Sequence, residues 1–169
     1  MSALLPHVFK AIHIVGIILW LGPTLAGWYY IRAAGQHTRR QSRQAVSKLE
    51  LWVRRKFITL VNLEHLGLLL LLVGGASMAL RDPQAWWAQP WLRYKIILTA
   101  AVILPLEAMD IYFTNVMLAR ALRRLRVDRN DEDSLHAMKR YDRFVTVAVW
   151  ILGVILPALF WLAIFRPAL

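Results

Sequence analysis

The chain has no cysteine among its 169 residues, which excludes disulfides, thiolate metal sites and haem attached through thioether bonds. Acidic residues are also scarce, with 10 Asp and Glu against 21 Lys and Arg for a formal charge of +11. No Gly-rich phosphate loop, nucleophile elbow or zinc-protease motif occurs, so hydrolytic chemistry has no visible machinery. The acidic group Asp128, Asp131, Glu132 and Asp133 lacks the alternating ligands, central glycine and closing glutamate of a calcium-binding EF-hand. No internal repeat is apparent. The first apolar stretch lacks a basic flank and a small-residue cleavage site, so it is expected to be a retained span and not a signal peptide.

What the chain has in excess is apolar surface: 59% of its residues are hydrophobic, too many for an ordinary soluble domain of this length. A helix needs about 20 mostly apolar residues to cross the hydrocarbon of a bilayer. Four segments qualify: Val8 to Ile31, Phe57 to Leu80, Trp91 to Ala119 and Phe144 to Phe165. The expected fold is an all-α integral membrane four-helix bundle, and residues 1–169 form a single transmembrane domain.

The positive charge follows this topology, which argues against nucleic acid as a partner and for the lipid bilayer. Between the first and second spans lie Arg32, Arg39, Arg40, Arg43, Lys48, Arg54, Arg55 and Lys56, opposed only by Glu50. Between the third and fourth lie Arg120, Arg123, Arg124, Arg126, Arg129, Lys139, Arg140 and Arg143. The positive-inside rule makes both loops cytoplasmic and puts both termini on the outer, periplasmic side of a bacterial inner membrane. Ala45, Leu49, Trp52 and Phe57 recur at helical spacing among the basic residues, which predicts an amphipathic helical lead into the second span. Trp86, Trp87 and Trp91, beside Pro83 and Pro90, read as an interfacial anchor at the outer turn. Pro23, Pro105 and Pro157 fall inside spans and predict kinks.

Ionisable residues at membrane depth are costly and usually mark a cofactor, ion or proton site. At a rise of 1.5 Å per residue they separate into two layers. His13 lies about 9 Å and Lys95 about 6 Å from the outer ends of their spans, with Met78 near the outer end of the second. From His13, residues Gly16, Trp20 and Gly27 continue a stripe that suits either close approach of a flat ligand or plain helix packing. Haem iron accepts imidazole, and methionine can complete its coordination. Lys95 has three readings: neutralising a propionate, acting as an axial ligand, or snorkelling to the headgroups.

His65 lies about 22 Å from the outer end of its span, nearly level with Glu107 and one turn from Asp110. The axial offset from His13, about 13 Å, excludes a shared iron. Glu64, His65, Glu107 and Asp110, with Asn62 and Asn115 nearby, form a candidate proton path or cation site, or else a set of interhelical hydrogen bonds. Glu64 and His65 are adjacent, so they do not make the Glu-x-x-His arrangement of di-iron bundles. His7, His37 and His136 fall at membrane edges or in loops and need no special role.

The run Phe9-Lys10-Ala11-Ile12-His13-Ile14-Val15-Gly16-Ile17-Ile18-Leu19-Trp20-Leu21-Gly22 resembles the first helix of the HemJ-type protoporphyrinogen oxidases. It is also similar to CopD-like copper-resistance domains and other small four-helix bacterial membrane proteins. Trp91-Leu92-Arg93-Tyr94-Lys95 is similar to the Trp-Leu-His-x-Lys opening of the HemJ third helix, with Arg93 in place of His. The resemblance is that of a divergent member. It implies non-covalent haem b at His13, with Lys95 tied to haem and activity, and so a membrane oxidoreductase serving electron transfer or porphyrin oxidation. The residues themselves leave two other readings open. One is a cation- or proton-conducting transporter-like module using the inner cluster. The other is an accessory subunit, in a homo-oligomer or a larger membrane complex.

Overall fold

The computed structural model describes residues 5–41 and 46–166. Arg43 and Ala45 lie outside the described residues, as do the side chains of His37, Arg39 and Arg40. The described chain is helical almost throughout: α1 Leu5–Gln41, α2 Lys48–Ala79, a short α3 Pro83–Trp87, α4 Pro90–Val127 and α5 Glu132–Phe165. All but α3 contain stretches long and apolar enough to cross a membrane. The helices outrun the apolar segments because the basic loops are themselves helical.

Local chemistry sets the helix starts. Ser47 caps α2 by accepting the Glu50 N–H at 3.0 Å. Asp131 caps α5, accepting the Ser134 N–H at 3.2 Å and the Ser134 hydroxyl. Glu132 and Asp133 follow in the first turn, where acidic groups complement the helix dipole. The predicted helical lead into the second span is the start of α2. Leu49 and Trp52 are exposed, and Glu50, Arg54 and Phe57 point inward. The reason is electrostatic: Arg54 enters the bundle to meet two carboxylates.

Helices α1 and α2 run antiparallel with their backbones nearly touching. A Cβ at Gly16 would overlap the backbone of Leu71, and one at Gly67 would overlap the backbone of Trp20. Lipid tails are as apolar as leucine, so helices in a bilayer associate through such close packing and through polar contacts.

Helix α4 contains two π turns, Thr99–Ile103 and Phe113–Leu118. The first precedes Pro105, which has no N–H to donate and whose ring would crowd the preceding turn. The Leu104 N–H reaches back to the Thr99 carbonyl, and this wider turn absorbs the misfit. The apolar interior is split into two clusters. One gathers Phe57, Val61, Leu118, Leu122 and Tyr141; the other gathers Trp20, Leu68, Ile103 and Leu152. On α2 the gap between them holds residues 64 and 65, and on α4 it holds residues 107 and 110. A polar layer is thereby sandwiched between two apolar ones.

Candidate functional site

The polar layer is built from four helices. Helix α2 supplies Glu64 and His65, and α4 supplies Glu107 and Asp110 from the regular segment Leu104–Tyr112 between its two π turns. Trp20 comes from α1 and Tyr141 from α5. Glu64 and Glu107 are only 5% and 7% exposed, so their charges and hydrogen bonds must be met within the protein.

Glu107 is held from two sides. The Trp20 indole N–H donates to its Oε1 at 2.6 Å, and His65 Nδ1 donates to its Oε2 at 3.0 Å. The other imidazole nitrogen, His65 Nε2, stands 3.7 Å from Asp110 Oδ2, is buried and has no hydrogen-bond partner among the described residues. That distance is beyond an N–H···O bond. Asp110 is oriented through its other oxygen, because the Thr114 hydroxyl lies 3.1 Å from Oδ1. Thr114 Oγ1 is also 3.1 Å from the Tyr141 hydroxyl. A threonine hydroxyl has one hydrogen, so with that hydrogen on Asp110 the phenol supplies the second bond. Donor atoms of His65, Glu107 and Asp110 all lie within 4.8 Å of one another. A cavity of about 40 Å³ opens beside them, lined by Glu64, Glu107, Asp110, Tyr141, Phe57 and Leu152 among others. It is large enough for water.

The residues expected in the outer layer are arranged otherwise than as one ligand-binding face. His13 Nδ1 donates to the Leu71 carbonyl at 2.8 Å, and the ring rests on Gly75. Ten residues, about 15 Å of rise, separate Gly75 from His65, so the two imidazoles do not share a site. Gly16 packs on the α2 backbone and Gly27 on the Phe57 ring, so at these positions the stripe serves helix packing. Trp20 joins the inner layer. Gly16 and Trp20 thus both make close contacts within the protein. Lys95 Nζ sits 6.0 Å from the centre of the Trp91 ring, which also receives the Arg166 guanidinium at 5.6 Å. Met78 is half-buried on α2, three residues beyond Gly75. Among the described residues no hydrogen bond or ion pair joins His13 to Lys95.

A second polar group carries almost no signal in the sequence. The Arg54 guanidinium, 2% exposed, forms a bidentate pair with Asp142 at 2.7 and 2.8 Å and an intrahelical pair with Glu50 at 3.1 Å. The i,i+4 spacing of Glu50 and Arg54 is the one hint the residue order offers for it. Thr114 and Tyr141 carry no comparable hint, since a hydroxyl on an apolar helix is unremarkable until its depth and facing are known.

Comparison with protein-family models, curated proteins and solved structures returns no match.

Proposed function

We propose that the chain is a multi-pass protein of a bacterial inner membrane, its basic end in the cytoplasm, that binds and relays a cation at the His65–Glu107–Asp110 cluster. The carried species is in the first instance the proton. The observation behind this reading is the placement of His65 between two buried carboxylates, 3.0 Å from one and 3.7 Å from the other. Imidazole can take a proton on one nitrogen while releasing one from the other. Intramembrane chains of carboxylates and histidines are the usual form of a proton relay. Glu107 serves one side of the ring and Asp110 the other, and Thr114 and Tyr141 extend the chain of hydroxyls toward the basic end. The two apolar clusters lie above and below this layer.

The test is proton flux into proteoliposomes under a potassium-diffusion potential. Wild-type protein is expected to acidify the lumen, and Glu107→Gln to slow this at least about tenfold, because an amide neither accepts nor releases the proton. Equal flux in the variant overturns the reading. His136→Gln, at an exposed position on α5, is the control expected to match wild type.

A second reading has one observation in its favour. The bond from His13 Nδ1 to the Leu71 carbonyl leaves Nε2 with a free lone pair, the arrangement that orients metal-ligating histidines. Non-covalent haem b held by His13, with Lys95 or Met78 as its further contact, would supply one-electron chemistry for electron transfer or porphyrin oxidation. A reduced-minus-oxidised spectrum of protein made under haem-replete conditions tests it: absence of Soret and α bands rejects haem.

A further inference from the structure

We infer that His65 Nε2 and Asp110 Oδ2 form the core of a binding site for a divalent first-row transition-metal ion, with Glu107 positioning the imidazole. This inference rests on the cation-handling reading of the same cluster and names a second substrate class for it.

The argument starts from the state of the ring. His65 Nδ1 donates to Glu107 Oε2 at 3.0 Å, so in the neutral imidazole the bare lone pair is on Nε2. That nitrogen is buried and has no hydrogen-bond partner among the described residues, and a buried polar atom without a partner calls for an explanation such as an ion or water. A carboxylate on the far nitrogen of a histidine is the usual outer support of a metal-bound imidazole, fixing its tautomer and raising its basicity. Glu107 fills that role, and the Trp20 indole on Oε1 fixes Glu107 in turn.

The spacing and charge agree. Two ligands about 2.0–2.2 Å from one tetrahedral ion stand roughly 3.3–3.6 Å apart, and His65 Nε2 and Asp110 Oδ2 are 3.7 Å apart. The Thr114 hydroxyl engages Oδ1 of Asp110, which leaves Oδ2 turned toward the imidazole. A neutral imidazole with the two carboxylates Asp110 and Glu107 balances a doubly charged ion. The cavity on the Asp110 side of the cluster, lined also by Glu64 and Glu107, has room for water. Imidazole and carboxylate together suit zinc, cobalt, manganese or iron, whereas calcium and magnesium take all-oxygen shells.

The experiment is titration of the detergent-solubilised full chain with cobalt(II), read by its visible d–d absorption. One cobalt per chain, displaced by zinc, is expected. His65→Gln is expected to abolish the bands. Glu107→Gln keeps an acceptor for the Nδ1–H and should weaken binding by about 10–100-fold. His136→Gln should bind as wild type does. No bands in wild-type protein, or undiminished bands in His65→Gln, overturn the inference. If His65→Gln does not assemble, Asp110→Asn is read in the same way, and bands unchanged in position and intensity also overturn it. Proton flux measured in parallel under a chelator separates the two readings. Flux without cobalt binding rejects the metal site and leaves the relay; cobalt binding without flux retains the metal site and rejects the relay.

Discussion

Helix α2 meets its neighbours in two different ways. Against α1 the contact is made by the absence of side chains: Gly16 and Gly67 let the two backbones close up, and His13 spends its N–H on a backbone carbonyl. Against α4 and α5 apolar side chains pack, Phe57 and Val61 with Leu118 and Tyr141, and polar side chains meet in pairs beside them, His65 with Glu107 and Arg54 with Asp142. Lipid tails give packed apolar faces little driving force, so within the spans van der Waals closeness and polar pairing must each help to carry an interface. The difference explains why two intramembrane histidines have unlike prospects. His13 is fixed by packing geometry, and His65 is fixed by groups that can exchange protons or ligate an ion.

Substitutions that attack one joint and spare the other test this contrast. The largest effect is expected at the polar joint: Arg54→Ala strips the compensating charge from buried Glu50 and should cost about 3–5 kcal/mol in detergent unfolding. A loss below about 1 kcal/mol would show that this pair does not hold α2 to α5. At the close-packed joint, Gly16→Ala puts a methyl into the α2 backbone and should cost roughly 1–3 kcal/mol. It should also move the Trp20 indole N–H resonance upfield as the Trp20 to Glu107 bond lengthens; an unchanged melting curve would contradict the seam. Thr114→Val removes the hydroxyl between Asp110 and the fully buried Tyr141 at nearly constant shape. A destabilisation on the order of 1 kcal/mol is expected, with faster hydrogen exchange on α5 as the local readout. The smallest effect has the opposite sign. At Gly22 and Gly153 an added methyl would meet nothing within 4 Å among the described residues, so alanine at either should raise stability by roughly 0.5–1 kcal/mol, and a loss there would place a further contact on that face.

Much of this architecture is legible in the amino-acid order, and the illegible parts share a cause. Hydropathy marks four spans because a bilayer imposes length and composition directly. Helical rise alone sets His65 level with Glu107, since depth depends only on counting. Facing is harder. The stripe on the first helix groups Trp20 with His13, yet the indole reaches Glu107, 87 positions away, because angular position around a bundle depends on which helices are neighbours. The small residues of that stripe are plain to see, but a glycine face invites a ring or a backbone equally. Arg54 resembles the surrounding topology-setting arginines, and only the third dimension shows the acids it meets. Pro105 announces an irregularity near residue 105; the second π turn, Phe113–Leu118, has no proline to announce it.

Those π turns bear on how this gene can change. Each amounts to one residue more than a regular helix would use, and one residue of α-helix is a rotation of about 100°. A single-codon deletion within 99–103 would let α4 relax to regular winding and stay membrane-compatible in length and hydropathy. Because the wide turn already absorbs that residue, Glu107 and Asp110 would keep their facing; a deletion between 107 and 110, where the winding is regular, would instead turn Asp110 about 100° away from Glu107. Length polymorphism in this helix, harmless to insertion and almost invisible in composition, is therefore tolerable at the two π turns and damaging to the His65 cluster in the regular segment between them.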